Sequence, residues 1–388
     1  MRLLPFDYAV RNLGRSRTRL ALSLVGSTLV VALVLSAGGF VRGMTRSLTN
    51  AGSEHNVILL GAGSEESVER SEIGMAVPGL VEASVAGIRE RLGERYISPE
   101  VHLQTTVKPD VESQLAPQVL VRGVTPAAFL VHHQAHVSEG RLPNPGADEI
   151  LVGELVAQRL DLPVARVDVG QTLYFNERTW TIVGRLQAPG SIMQSEIWCP
   201  LNDLQIAAKR DNLSCVVVTL DTAEFDDVDA FARQRLDLEL MAMREGDYYS
   251  RLAAFFQPIR AMVWGTAILI ASGGILGGLN TMYAAFASRV REVGVLQSIG
   301  YSRRAIIFSL MQESLLVCVA GTLIAATACV LLLDGITIQF SAGVFGLMID
   351  PTVLLIGLAA GLSLGFIGAL PPAIQCLKLP ITEALKGS

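Results

Sequence analysis

Residues 289–304 read RVREVGVLQSIGYSRR and separate the two stretches of the chain least able to tolerate water. Upstream, 261–288 contains no Asp, Glu, Lys or Arg; downstream, 305–333 contains only Glu313. A helix needs about 20 apolar residues to cross the hydrocarbon core of a bilayer. Within lipid every backbone N–H and C=O must be paired inside the segment, which selects helices. The quoted stretch therefore reads as a short turnaround between two membrane helices.

The same reading extends outward. Windows 20–41 and 351–377 also lack charge. The chain has 388 residues, of which 17% are charged, against about 25% in soluble domains. The fold class that follows is an α-helical membrane protein with four transmembrane helices at 20–41, 259–288, 305–333 and 351–377. A secretory signal has an apolar core of about 7–15 residues; 20–41 is longer and reads as a retained anchor. Short basic flanks set orientation. Arg2, Arg11, Arg15, Arg17 and Arg19 precede the first helix, Arg289, Arg291, Arg303 and Arg304 line the turnaround, and Lys378 and Lys386 lie in the tail. These segments, 1–19, 289–304 and 378–388, are expected in the cytoplasm. Segment 1–19 has the pattern of an in-plane amphipathic helix, with Phe6, Val10 and Leu13 on one side and an Arg11, Arg15, Arg19 ladder on another.

Four crossings leave 42–258 outside, as a large extracytoplasmic α+β domain inserted between the first and second helices. Residues 42–260 carry 20 basic and 30 acidic side chains. Runs 118–124, 171–184 and 215–220 are β-branched and bounded by turn residues, so they read as strands. Residues 80–92, 153–162 and 226–241 have helical spacing. An amphipathic helix over 231–257 is expected to carry the domain as a stalk, with Pro258 kinking it at the membrane. Residues 335–349 are apolar but broken by glycine, and 334–350 reads as an external loop dipping toward the bilayer.

Glycines Gly273, Gly274, Gly277 and Gly278 in the second membrane run, and Gly357, Gly361 and Gly365 in the fourth, recur at spacings that let helix backbones approach closely. The pattern leaves open whether they meet another copy or the same chain. Cys199 and Cys215 fall in the external domain and are candidates for a disulfide in an oxidising compartment. Cys318 and Cys329 read as small buried hydrophobes.

The sequence offers little catalytic chemistry. A phosphate loop needs Gly-x-x-x-x-Gly-Lys followed by Ser or Thr. The four lysines, Lys108, Lys209, Lys378 and Lys386, are followed by neither. His132, His133 and His136 cluster in VHHQAH without a metalloprotease pattern, and a solvated face is expected there. Glu313 is an intramembrane charge about 12 Å into its helix, and structural pairing with an arginine is favoured over proton relay.

Several segments, taken in order, resemble one family. VRGVTPAAF (121–129), EGRLP (139–143), EILVGELVAQRL (149–160), VGQTLYFNERTWTIVGRL (169–186) and IWCPLNDLQ (197–205) are similar to the periplasmic core of the MacB/FtsX class of ABC-transporter permeases. RNLGRSRTRLALSLVG (11–26), REVGVLQSIGYSRRAI (291–306) and LPPAIQCLKLPITEAL (370–385) resemble its membrane signatures. Gln297, Ile299 and Tyr301 depart from the usual choices. The resemblance implies a non-enzymatic permease subunit of a bacterial cytoplasmic (inner) membrane transporter, with both termini cytoplasmic. Two copies of the permease, or one with a related permease, work with two separate ATPase subunits. ATP and Mg bind those partners, and no cofactor or metal binds this chain. A periplasmic adaptor or a cell-wall hydrolase are candidate further partners, and no nucleic acid is involved. Mechanotransmission to the external domain, for export from the periplasm or outer leaflet, is the implied mechanism. An FtsX-like regulator of a cell-wall hydrolase and a lipoprotein-releasing permease are the alternatives.

On that reading 289–304 is a coupling helix, and the ATPase-coupling residues are Arg289, Arg291, Glu292, Val293, Gly294, Leu296, Gly300, Arg303 and Arg304. Val290, Val293, Leu296 and Ile299 recur at three-residue steps, and this edge is expected to face the ATPase together with Glu292. Gly300 offers a helix stop and Ser302 a cap for the next helix.

Overall fold

The computed structural model describes residues 6–13, 17–114, 116–340 and 343–378. They form two units, a helical one built from 1–42, 258–336 and 347–388, and a sheet unit built from 43–257 and 337–346. The chain opens with α1 (Phe6–Leu13) and α2 (Arg17–Thr49). In the sheet unit α3 (Val77–Ser84), α4 (Ala128–Val131), α5 (Val156–Arg159), α6 (Leu201–Ala208), α7 (Phe225–Gln234) and α8 (Glu245–Phe255) alternate with strands. Helices α9 (Gln257–Ala287), α10 (Val290–Ser298), α11 (Arg303–Leu332) and α12 (Pro351–Cys376) follow. Among the described residues α2, α9, α11 and α12 are long and apolar enough to cross a membrane.

Ten strands make the sheet: β1 (Asn56–Gly61), β2 (Ile97–Thr106), β3 (Gln118–Val124), β4 (His136–Gly140), β5 (Glu149–Gly153), β6 (Thr172–Phe175), β7 (Arg178–Gln187), β8 (Ile197–Pro200), β9 (Cys215–Thr219) and β10 (Leu240–Arg244). Their order is β10-β1-β9-β2-β3-β8-β5-β7-β4, with β6 on β7. β3 with β8 and β5 with β7 are parallel; the other pairs are antiparallel. β2 is the pivot. Its first residues, Ile97–Glu100, pair with β9, and Val101–Thr106 pair with β3. One long strand thus joins two lobes of the sheet. β6 and β7 meet at Asn176 and Glu177, both at positive φ, the conformation of a tight two-residue hairpin.

The strand expectations match β3, the β6–β7 hairpin and β9. The stalk does not match. The 231–257 pattern is not one helix, because α7 ends at Gln234 and β10 intervenes before α8. β10 pairs with β1, buried along its whole length, and an edge partner there outweighs a marginal helical pattern. Pro258 makes no kink within a helix. It is the second residue of α9, where a missing N–H costs nothing. The helical stretch at 153–162 shrinks to α5, and the one at 80–92 stops at Ser84, before Gly87 turns the chain at φ +83°.

Residues expected as a loop dipping toward the bilayer form instead a hairpin, β11 (Thr337–Phe340) and β12 (Gly343–Gly346), that belongs to the sheet unit. Arg159 of α5 donates to the carbonyls of Phe340 and Gly343. A Cβ on Gly343 would strike Ile192 and Ser195. Asp350 caps α12 by accepting from the Val353 N–H at 2.9 Å, and it receives the Arg42 guanidinium.

In the helical unit the α12 glycines meet this chain's own helices. Gly357 faces Leu35 of α2, Gly361 faces Thr322 of α11 and Val31 of α2, and Gly365 faces Cys318 of α11. Gly321 of α11 lies against Ser27, and Thr28 Oγ1 donates to the Gly321 carbonyl at 3.3 Å. On α9 a Cβ on Gly274 would strike Val30, and the Gly278 backbone lies beside Gly368 of α12; a Cβ on Gly273 or Gly277 would meet nothing.

The disulfide expectation is corrected. Cys199 and Cys215 are free and buried. They lie on β8 and β9, with β2 and β3 between them. At about 4.8 Å per strand the separation far exceeds what a disulfide can span. Burial pushes both thiols well above their ordinary pKa.

Candidate coupling site at the α10 turn

Local sequence shapes the turn between α9 and α11. α10 closes at Ile299, and Gly300 takes φ +99°, a left-handed stop that glycine adopts without strain. Ser302 then accepts from the Ala305 N–H at 3.3 Å and caps α11. Val290, Val293 and Leu296 turn inward. They pack with Ala285 and Phe286 of α9, Ile306 and Leu310 of α11, and Ala373 and Cys376 of α12. Three of the four residues of the apolar edge expected to face a partner are therefore covered by the chain's own bundle, and Ile299 stays outward. Gly294 is buried with it. The exposed face is Arg291, Val295, Ser298 and Ile299, the last 68% exposed.

Arg303 and Arg304 are exposed in the first turn of α11, where the helix dipole disfavours positive charge. Helix stability does not explain them. Arg289 belongs to the interior. It donates to Glu313 Oε2 at 2.8 Å and reaches the Asn12 carbonyl of α1 at 3.4 Å. Arg19 of α2 donates to Glu313 Oε1 at 3.0 Å. Both carboxylate oxygens are thus taken, and the expected arginine pairing of Glu313 is present. Tyr8, Asn12, Arg289, Glu292, Val293 and Ser309 line a small hollow where α1, α10 and α11 meet. α1 is packed on one side as well as exposed on another: Asn12 is buried, while Val10 and Arg11 are exposed. Arg15, Lys386 and the tail motif beyond Lys378 lie outside the described residues.

In the sheet unit, Glu100, His102 and Cys215 bring donor atoms within 4.8 Å of one another. The set does not suit a metal. Glu100 already accepts from Ser98 and Arg122 and contacts the rings of His102 and His132, so its lone pairs are used. The Arg122 guanidinium supplies the cation. His132 is fully buried rather than solvated, and it does not share a helix face with His136, which opens β4. The sequence hint was Arg122 itself, set among β-branched residues in QVLVRGV, a strand position that demands a buried partner.

A family model described as MacB-like periplasmic core domain matches residues 20–234, and one described as FtsX-like permease C-terminal matches residues 264–381. The chain is 23% identical over 398 residues to the macrolide export ATP-binding/permease protein MacB 1/2 of Paracoccus denitrificans, covering 97% of this chain and 58% of that protein. It is 23% identical over 233 residues to the ABC transporter permease YknZ of Bacillus subtilis, covering 56% of this chain and 57% of that one. The chain therefore spans under two thirds of these relatives' length. The crystallised periplasmic region of MacB from Actinobacillus actinomycetemcomitans aligns over 52% of this chain and 93% of that one, at 10% identity and a TM-score of 0.38.

Proposed function

The chain belongs to the MacB/FtsX family of ABC-transporter permeases, and on that premise we propose that it couples ATP hydrolysis on a separate ATPase subunit to movement of its sheet unit. The sheet unit lies outside a bacterial cytoplasmic membrane, the termini lie inside, and the movement drives export of a substrate from the periplasm or outer leaflet. One observation carries this reading. Helix α10 is fastened to α1, α2 and α11 through the Glu313 clasp, yet presents Arg291, Val295 and Ile299 outward. A plain tether has no need of that exposed face or of Arg303 and Arg304 beside it. The external core of MacB type supports export over control of a cell-wall hydrolase.

The permease works as a pair of copies, with Gly273 and Gly277 of α9 on the surface of approach. Two ATPase subunits dock on the α10 turns. Purification from native membranes in mild detergent is expected to bring down an ATPase; its absence sinks the reading. Gly294→Leu, which forces a side chain into the buried side of α10, and Glu292→Ala are expected to uncouple hydrolysis from transport without loss of membrane insertion. Unchanged coupling in both removes α10 from the site.

A further inference from the structure

Six ionisable side chains meet inside the sheet unit: Glu100, His102, Arg122, His132, Glu196 and Glu245, none more than 7% exposed. Buried charge is tolerated only when paired and hydrogen bonded, and most of this cluster is closed. Arg122 holds both oxygens of Glu196, at 2.8 and 2.9 Å, and Glu100 Oε2 at 2.9 Å. Trp198 Nε1 donates to Glu196 Oε2 at 2.8 Å. Glu100 sits where β2 changes partners, from β9 to β3.

One junction is open. His132 Nε2 lies 2.7 Å from Glu100 Oε1, but its Nδ1 is buried without a hydrogen-bond partner. Nδ1 faces Glu245 Oε1 across 3.5 Å, too long for a hydrogen bond of ordinary strength. The other oxygen of Glu245 accepts from the Ser53 N–H and from Asn56 Nδ2, each at 2.8 Å. Gly52 lies so close to Gly246 and Tyr249 that a Cβ would crowd them. Gln134 Nε2 donates to the Ala51 carbonyl at 3.0 Å. Residues 51–56 follow α2, and α8, which Glu245 opens, leads on to α9. The two chain segments that enter the sheet unit from membrane helices are pinned together at Glu245.

We propose that His132 and Glu245 are positioning residues that form the joint through which movement of α2 and of α8 with α9 passes into the sheet at Glu100, engaged while a proton lies between Nδ1 and Oε1 and slackened when it leaves. The joint rests on the reading of the chain as a mechanically coupled permease. With the proton present, imidazolium bridges two carboxylates. Without it, Nδ1 and Oε1 are two acceptors facing each other beside a second carboxylate. Burial lowers the His132 pKa, but Glu100 and Glu245 outweigh it and the group holds its proton above the ordinary histidine range. Burial raises Glu245, against the pull of His132 and the hydrogen bonds from Ser53 and Asn56. Both shifts favour a retained proton. Arg122 on β3 opposes the His132 charge, but its own is spent on Glu196 and Glu100. Cys215 on β9 and Tyr249 on α8 are held neutral by burial.

Hydrogen exchange of the full chain in lipid nanodiscs, corrected for intrinsic rates, reads the joint without any ATPase. Segments 51–56 and 245–255 are expected to lose protection together, about tenfold, between pH 6 and pH 9. Glu245→Gln supplies a neutral amide that donates to an unprotonated Nδ1, so both segments stay protected at both pH values. His132→Gln abolishes the pH dependence, and His136→Gln, which alters an exposed ring, keeps the wild-type profile. Protection independent of pH in the wild type, or a pH effect surviving in Glu245→Gln and His132→Gln, overturns the joint. Because no ATPase is present, this failure is distinct from a failure to recover one from native membranes.

Discussion

Glu313 shows how a single residue organises the α10 turn. It is the one charge in 305–333, so the sequence marks it plainly. Its partners lie 294 and 24 residues away, at Arg19 and Arg289, and no local pattern announces them. Removing one member of a buried ionic group strands the others. Glu313→Ala is expected to cost about 3–5 kcal/mol, read as a fall in the unfolding temperature of the detergent-solubilised chain. Glu313→Gln, which keeps an acceptor, is expected to cost less. Equal stability of wild type and Glu313→Ala would show that the clasp carries no energy. The coupling-helix reading of 289–304 counts Arg289 among the residues that face an ATPase, but its contacts make it the arm of this clasp. Among the residues proposed for coupling, Arg291, Gly300, Arg303 and Arg304 are exposed, Glu292 and Leu296 are half-buried, and Arg289, Val293 and Gly294 are buried.

At the scale of elements, the two glycine-rich helices look alike in sequence and differ in surroundings. Gly361 is closed by Thr322 and Val31, whereas Gly277 has open space. Gly361→Val is expected to destabilise by about 1–3 kcal/mol through overpacking. Gly277→Ala is expected to leave the stability of a single chain unchanged or slightly raised, because alanine favours a helix. A Gly277→Cys chain is expected to cross-link to a second copy on mild oxidation, while a Gly361→Cys chain is not; the reverse pattern would place the pair's contact on α12. The hairpin β11–β12 makes the same point. Its glycines and apolar residues fit a membrane-dipping loop as well as a strand pair, and only its docking on Arg159, Ile192 and Ser195 decides. Arg159→Ala is expected to raise hydrogen exchange across 337–346 about tenfold, the loss of a charged donor to two carbonyls. Unaltered exchange would mean that packing alone holds the hairpin.

For the whole molecule, the buried cluster sets a pH window. Burial works against ionised Glu100, but His132, Arg122 and the hydrogen bonds from both histidines hold its pKa well below the ordinary range. Its contribution is complete above an unfolded value of about 4.5 and is lost as pH falls through the folded value. His132 is raised, so its contribution is complete below about 6.5 and is lost as pH rises through the folded value. Unfolding temperature is expected to be highest between these limits, with the alkaline decline missing in His132→Gln; an alkaline decline that persists there would assign it to another group. The four long apolar helices, the sheet unit that follows the first of them, the hydrogen-bonded strands at 118–124 and 215–219, and the Gly300 stop with its Ser302 cap follow from composition and local pattern. Each is decided by solvation or by backbone conformation within a few residues. The fate of Cys199 and Cys215, the inward turn of Val293, the partners of Glu313 and the burial of His132 depend on contacts across tens to hundreds of residues. Sheet order and helix packing fix those contacts, and periodicity in one segment carries no record of what the chain will set against it.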